Sequence, residues 1–149
     1  MSHEEIEKVS SVALFHAAAW RTFRWYFGQR HYSGTYWSAT QRDHVIYESR
    51  LELANLLLAD FDPAVRHIAA QPFALRVQVD GQVRKHIPDY FLDSAPVGPV
   101  VVDVICGERM IQPKVALLRA WTRQIIFLAV ADRFICCIIA QALPVHATT

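Results

Sequence analysis

The run Val100-Val101-Val102-Asp103-Val104-Ile105 constrains this chain more than any other feature. Its β-branched side chains favour an extended backbone, and a strand apolar on both faces belongs in the middle of a covered sheet. The strand therefore demands helical layers to cover it, which points to an α/β fold. Asp103 sits inside the run, and a carboxylate there is costly unless it is paired, hydrogen-bonded or metal-bound.

The flanking segments fit that frame. Glu4 to Trp25 has helical spacing, and Phe27 to Thr40, rich in Gly, Ser and Tyr, reads as a loop. His44 to Leu58 is expected to be one helix, with Ile46, Leu51, Leu53, Ala54, Leu57 and Leu58 on its apolar face. Asp60-Phe61-Asp62-Pro63 ends it, because proline disfavours a helical preceding residue. Ile68 to Leu75 is a strand whose Pro72 suggests a sheet edge. Arg76 to Val79 and Val83 to Ile87 alternate around Asp80-Gly81, a hairpin signal. Pro113 to Phe127 returns to helical spacing, and Phe134 to Ile139 supplies a last strand. The expectation is a small mixed central sheet flanked by helices, with residues 1–33 as an N-terminal extension and 34–149 as the core.

Composition narrows the function. Hydrophobic residues make up 53% of 149, enough to fill a single core, while a net charge of +1 gives no global field for a polyanion. Three cysteines, two of them adjacent, form neither a disulfide framework nor a zinc pattern. Met1-Ser2-His3-Glu4-Glu5 lacks the features of a signal peptide, and Asp132 and Arg133 interrupt the apolar run Ile125 to Ala140. A cytoplasmic protein without a membrane span is expected. No pair of the seven histidines has zinc-like spacing with a third ligand nearby, so they read as surface or loop residues. Cys106 reads as a buried strand cysteine rather than a nucleophile.

Acidic residues carry the chemistry. Glu48 and Glu52 are four apart, on one face of the expected helix. Asp89 follows Pro88 just beyond the hairpin, and Asp103 lies in the valine run. Carboxylates meeting at a sheet edge offer hard oxygen ligands to Mg²⁺, with Mn²⁺ as a substitute. Such an ion activates water and offsets charge on a phosphodiester.

A helical Glu, a Pro-Asp and a strand acid, in this order, resemble the PD-(D/E)xK nuclease superfamily. More narrowly, the chain resembles TnsA, the transposase subunit that cuts the 5′ ends of a mobile element. The resemblance is carried by Gly34-Thr35-Tyr36-Trp37-Ser38-Ala39-Thr40, Tyr47-Glu48-Ser49-Arg50-Leu51-Glu52-Leu53-Ala54 and Asp60-Phe61-Asp62-Pro63-Ala64-Val65. It continues in Ile68-Ala69-Ala70-Gln71-Pro72-Phe73 and His86-Ile87-Pro88-Asp89-Tyr90-Phe91. It implies a restriction-endonuclease-like core and a metal-dependent endonuclease that works at transposon ends with a TnsB-type partner. Glu52, Asp89 and Asp103 would then be the metal ligands, with Glu48 the neighbouring acid and Gln71 a residue at the site's edge.

The chain departs from that pattern at Ile105, where relatives carry Lys or Arg. Losing one positioned electrostatic or acid–base group costs ~10²–10⁴-fold in rate. Lys85, Arg109 and Lys114 are the candidates to replace it, Lys114 first among them. The other reading is a catalytically inactive remnant that keeps DNA or transposase binding. A third is an unrelated α/β domain that assembles through its apolar C-terminal segment. Tyr36-Trp37 and the cluster Trp20, Trp25 and Tyr26 are candidates for base stacking. Arg21, Arg24, Arg30, His31 and Arg84-Lys85-His86 are candidates for phosphate contact.

Overall fold

The computed structural model describes residues 32–130 and 135–141, the end of the last helix and the final strand by backbone alone. The expected helix Glu4 to Trp25 and the basic and aromatic residues around it lie outside the described residues. The fold is α/β.

Two short strands come first, β1 (Gly34–Ser38) and β2 (Asp43–Tyr47), paired antiparallel from Gly34↔Tyr47 to Ser38↔Asp43. At the open end a Cβ on Gly34 would stand 2.5 Å from the Tyr47 hydroxyl oxygen, so a larger residue there would push the Tyr47 ring aside. Both strands correct the sequence reading, which had a loop through Gly34–Ser38 and a helix from His44. Val45 and Ile46 are β-branched and favour a strand, and Val45 is buried, a local preference hidden by the apolar spacing that follows.

Helix α1 (Arg50–Phe61) starts only after Ser49, its N-cap, and closes at Asp62, whose N–H bonds to the Leu58 carbonyl at 3.1 Å. Next comes β3 (Val65–Ala70). It stops before the expected Leu75 because Gln71 takes a φ of 46°, outside the strand region. β4 (Leu75–Val79) and β5 (Gln82–His86) form the expected hairpin. Asp80 (φ 51°) and Gly81 (φ 74°) both turn left-handed, as the tight two-residue turn requires.

β6 (Tyr90–Ser94) was not anticipated from sequence, whereas β7 (Gly98–Cys106) contains the valine run. The short helix α2 (Gly107–Met110) leads into α3 (Pro113–Val130), and β8 (Ile135–Gln141) completes the described chain. The main sheet has the order β3-β6-β7-β8. β6 is antiparallel to both β3 and β7, and β8 runs parallel to β7 in the register Asp103↔Ile138. The sheet is thus mixed, and β7 lies in its interior.

Side chains alternate across this sheet. Ile68, Tyr90 and Val102 pack on one face with Leu56 of α1 and Val45 of β2. Ala69, Phe91 and Val101 pack on the other with Ile126 of α3. Phe91 and Val101 are fully buried. Covering both faces is what the valine-rich text of β7 demands. Among the described residues, no helix is long and apolar enough to cross a membrane.

Candidate functional site

The acids gather at the end of the sheet where β6 begins. Glu52 occupies the third position of α1, and its backbone N–H donates to the Ser49 hydroxyl oxygen at 3.1 Å. In return its carboxylate accepts the Glu48 N–H at 2.8 Å and the Ser49 hydroxyl at 3.2 Å. This is a variant of the capping box in which the carboxylate reaches the N–H one residue before the N-cap, with negative charge held over a helix N-terminus. Glu48 lies before the helix rather than one turn along it, so the expected shared helical face is replaced by this backbone bond.

Gln71 connects the two glutamates to the Pro-Asp segment. It is 4% exposed, its side-chain amide donates to Glu48 Oε1 at 3.0 Å, and its N–H donates to the Asp89 carbonyl at 2.9 Å. The left-handed φ of Gln71 is what turns both groups towards the site. Asp89 follows the buried Pro88, donates its N–H to the Val102 carbonyl at 3.1 Å and accepts the Val104 N–H on Oδ2 at 2.7 Å. Its carboxylate is therefore seated against β7 beside Asp103.

Burial, then the charges of Glu52, Asp103 and Glu48, push the Asp89 carboxyl up to about 8, against the pull of the Val104 N–H. Burial and the charges of Glu52, Asp89 and Glu48 likewise hold the Tyr90 phenol well above its ordinary value, while its O–H donates to the Ile46 carbonyl at 3.1 Å. Four carboxyl groups thus share one electrostatic neighbourhood, and Asp89 stands at its centre.

Asp103 is 2% exposed and belongs, by strand alternation, to the α3 face of the sheet with Val101. Its partner is His86, whose Nε2 lies 2.9 Å from both Oδ1 and Oδ2. The imidazole meets Trp121 of α3 edge-on, with ring centroids 6.1 Å apart. His86 is therefore no surface histidine, which corrects the sequence reading. Only its place in the His86-Ile87-Pro88-Asp89 word set it apart from the other histidines.

The remaining sequence candidates are dispersed. Ile105 shares the alternation of Asp103 and is half-buried. Lys114, on the first turn of α3, is exposed, as are Lys85 and Arg109. Cys106 is a half-buried free thiol at the end of β7. Among the described residues, no three carboxylate, imidazole or thiol groups stand together as a finished metal cage. By alternation Asp103 belongs to the α3 face of the sheet, whereas Glu52 starts α1, which packs on the other face through Leu56.

One network escaped sequence reasoning. Asp60, near the end of α1, accepts the Tyr36 hydroxyl at 2.7 Å and the Ser38 hydroxyl at 2.6 Å. It also accepts the N–H groups of Ala39 at 3.1 Å and Thr40 at 2.9 Å. Burial alone would raise its pKa, but the bonds from Ser38, Tyr36 and Thr40 hold it well below the usual carboxylate range. This latch fastens the β1–β2 hairpin to α1, and it gives the words at 34–40 and 60–65 a common structural purpose. Set against known protein families and curated proteins, the chain matches none of them.

Proposed function

We propose that this chain is a TnsA-like DNA endonuclease subunit of a heteromeric transposase, hydrolysing phosphodiesters at transposon ends beside a TnsB-type partner in the cytoplasm. The observation that carries the reading is the neighbourhood of Asp89, where acids from the β2–α1 junction, the start of β6 and the interior of β7 act on one carboxyl group. Structural ion pairs normally set opposite charges against each other, whereas this cluster sets like charges together, as a cation-binding centre does. The order α1, antiparallel β3, β6 and β7, then α3 and parallel β8 also agrees with a restriction-endonuclease-like core.

The donor set suits Mg²⁺ or Mn²⁺ in chemistry, since it consists of hard carboxylate oxygens. Asp89, Glu52 and Asp103 would hold the ion, which when bound activates water and offsets charge on the phosphate. The chain's own contribution is orientation. The Val104 N–H and Gln71 fix Asp89, the cap of α1 fixes Glu52, and His86 fixes Asp103. Lys114 is the proposed substitute for the cation missing at Ile105.

A second reading is an inactive DNA- or transposase-binding remnant. Ile105 favours it, and so does the engagement of both Asp103 oxygens by His86. Nicking of supercoiled plasmid with Mg²⁺, with and without the partner transposase, tests the choice. Activity that Asp89→Ala abolishes supports the nuclease, and silence under both conditions supports the remnant.

A further inference from the structure

The β4–β5 hairpin has two unlike faces. Leu75, Val77, Val79, Arg84 and His86 are partly covered, whereas Arg76, Gln78, Val83 and Lys85 are exposed. The sequence word Arg84-Lys85-His86 is split by this alternation: Lys85 points outward, and His86 points inward onto Asp103. Across the outer face Arg76 pairs in register with Lys85. This register sets two exposed cations side by side on the outer face.

The charge is also local. Residues 75–86 hold Arg76, Arg84 and Lys85 against one acid, Asp80 at the tip, in a chain whose net charge is only +1. The foot of the hairpin is fixed at the acidic site through His86 and through Leu75, which packs on the Phe91 and Val101 cluster. Lys85 precedes Asp89 by four residues, which places it within ~13 Å of that acid at full extension.

We propose that the outer face of this hairpin, through Arg76 and Lys85, binds the phosphate backbone of duplex DNA and leads the strand to the acids around Asp89. Choosing DNA as the polyanion rests on the nuclease reading above. Because backbone contact carries no base information, this binding is independent of sequence and strongly salt-dependent.

The test is fluorescence anisotropy of a labelled duplex of arbitrary sequence against the full chain, titrated with salt. The double variant Arg76→Glu, Lys85→Glu is expected to weaken binding at least about tenfold at low salt and to lower the salt slope by about 2. The charge-preserving pair Arg76→Lys, Lys85→Arg should bind as the native chain does, as should Arg66→Glu, which reverses an exposed cation on β3. Circular dichroism checks that each variant is folded. A native chain that binds no duplex, or a double Glu variant with native affinity and slope, overturns the assignment. Plasmid nicking, read separately, tests the nuclease function: binding lost with the hairpin charges upholds this surface even in a chain that cuts nothing.

Discussion

His86 Nε2 stands 2.9 Å from each carboxylate oxygen of Asp103, with the side chains 15% and 3% exposed. The pair joins the foot of the β4–β5 hairpin to the interior strand β7, and so fastens an appendage to the centre of the fold. A buried carboxylate deprived of the donor that engages both its oxygens is costly. His86→Ala should therefore lower the unfolding free energy by about 2–4 kcal/mol in urea titrations. His86→Gln, which keeps an N–H donor, should recover part of that loss.

Asp89 makes stability depend on pH in an unusual direction. Its folded pKa of about 8 lies above the ordinary carboxyl value, so the folded chain holds a proton that the unfolded chain releases. The advantage is complete below the unfolded value near 4 and is lost as pH rises towards 8. The difference in unfolding free energy between native and Asp89→Asn should thus move against the native chain by up to about 1.4 kcal/mol per pH unit in that window. Saturating Mg²⁺ should flatten the slope, because a nearby cation favours the charged carboxylate.

The latch at Asp60 behaves oppositely. Its carboxylate is held well below the usual range by hydroxyl and N–H donors, so it stabilises the chain above the ordinary value and the effect fades as pH falls through and beneath it. Asp60→Ala leaves the donors of Tyr36, Ser38, Ala39 and Thr40 without their acceptor and should cost about 2–4 kcal/mol at neutral pH. Hydrogen exchange should then quicken in β1 and β2 before it does in β7.

Much of this architecture is legible in the sequence, and the failures have physical causes. The valine run, the Asp80-Gly81 hairpin and the helix from Pro113 are each dictated by local text. The start of α1 was misplaced because apolar residues of β2 and α1 merge into one helical spacing. The better marker is Ser49-Arg50-Leu51-Glu52, the spacing of a helix cap, with Ser49 bonded to Glu52. β6 is only Tyr90–Ser94, and Tyr90 and Phe91 are both buried because each serves a different face of the sheet, so no alternation was visible. Of the site, Asp89 and Asp103 stood out as acids in apolar surroundings. Gln71 entered only through the resemblance, and the roles of His86 and Asp60 were hidden because their partners lie 17 or more residues away in the chain.

Ile105 gives a gain-of-function prediction. The residue shares the alternation of Asp103, so Ile105→Lys would put a cation where the family pattern has one. On the nuclease reading, plasmid nicking with Mg²⁺ should rise by ~10²–10⁴-fold over the native chain. Adding Asp89→Ala to that variant should remove the gain. If Lys114 already serves as the substitute, Lys114→Ala should lower native nicking and leave the Ile105→Lys protein active.

Mn²⁺ binding followed by electron paramagnetic resonance probes the proposed cation-binding centre itself. The native chain should bind Mn²⁺, Mg²⁺ should compete for the same site, and Asp89→Asn and Asp103→Asn should each lose most of the affinity. A native chain that leaves Mn²⁺ free in solution, or an Asp89→Asn chain that binds it equally well, would contradict the account.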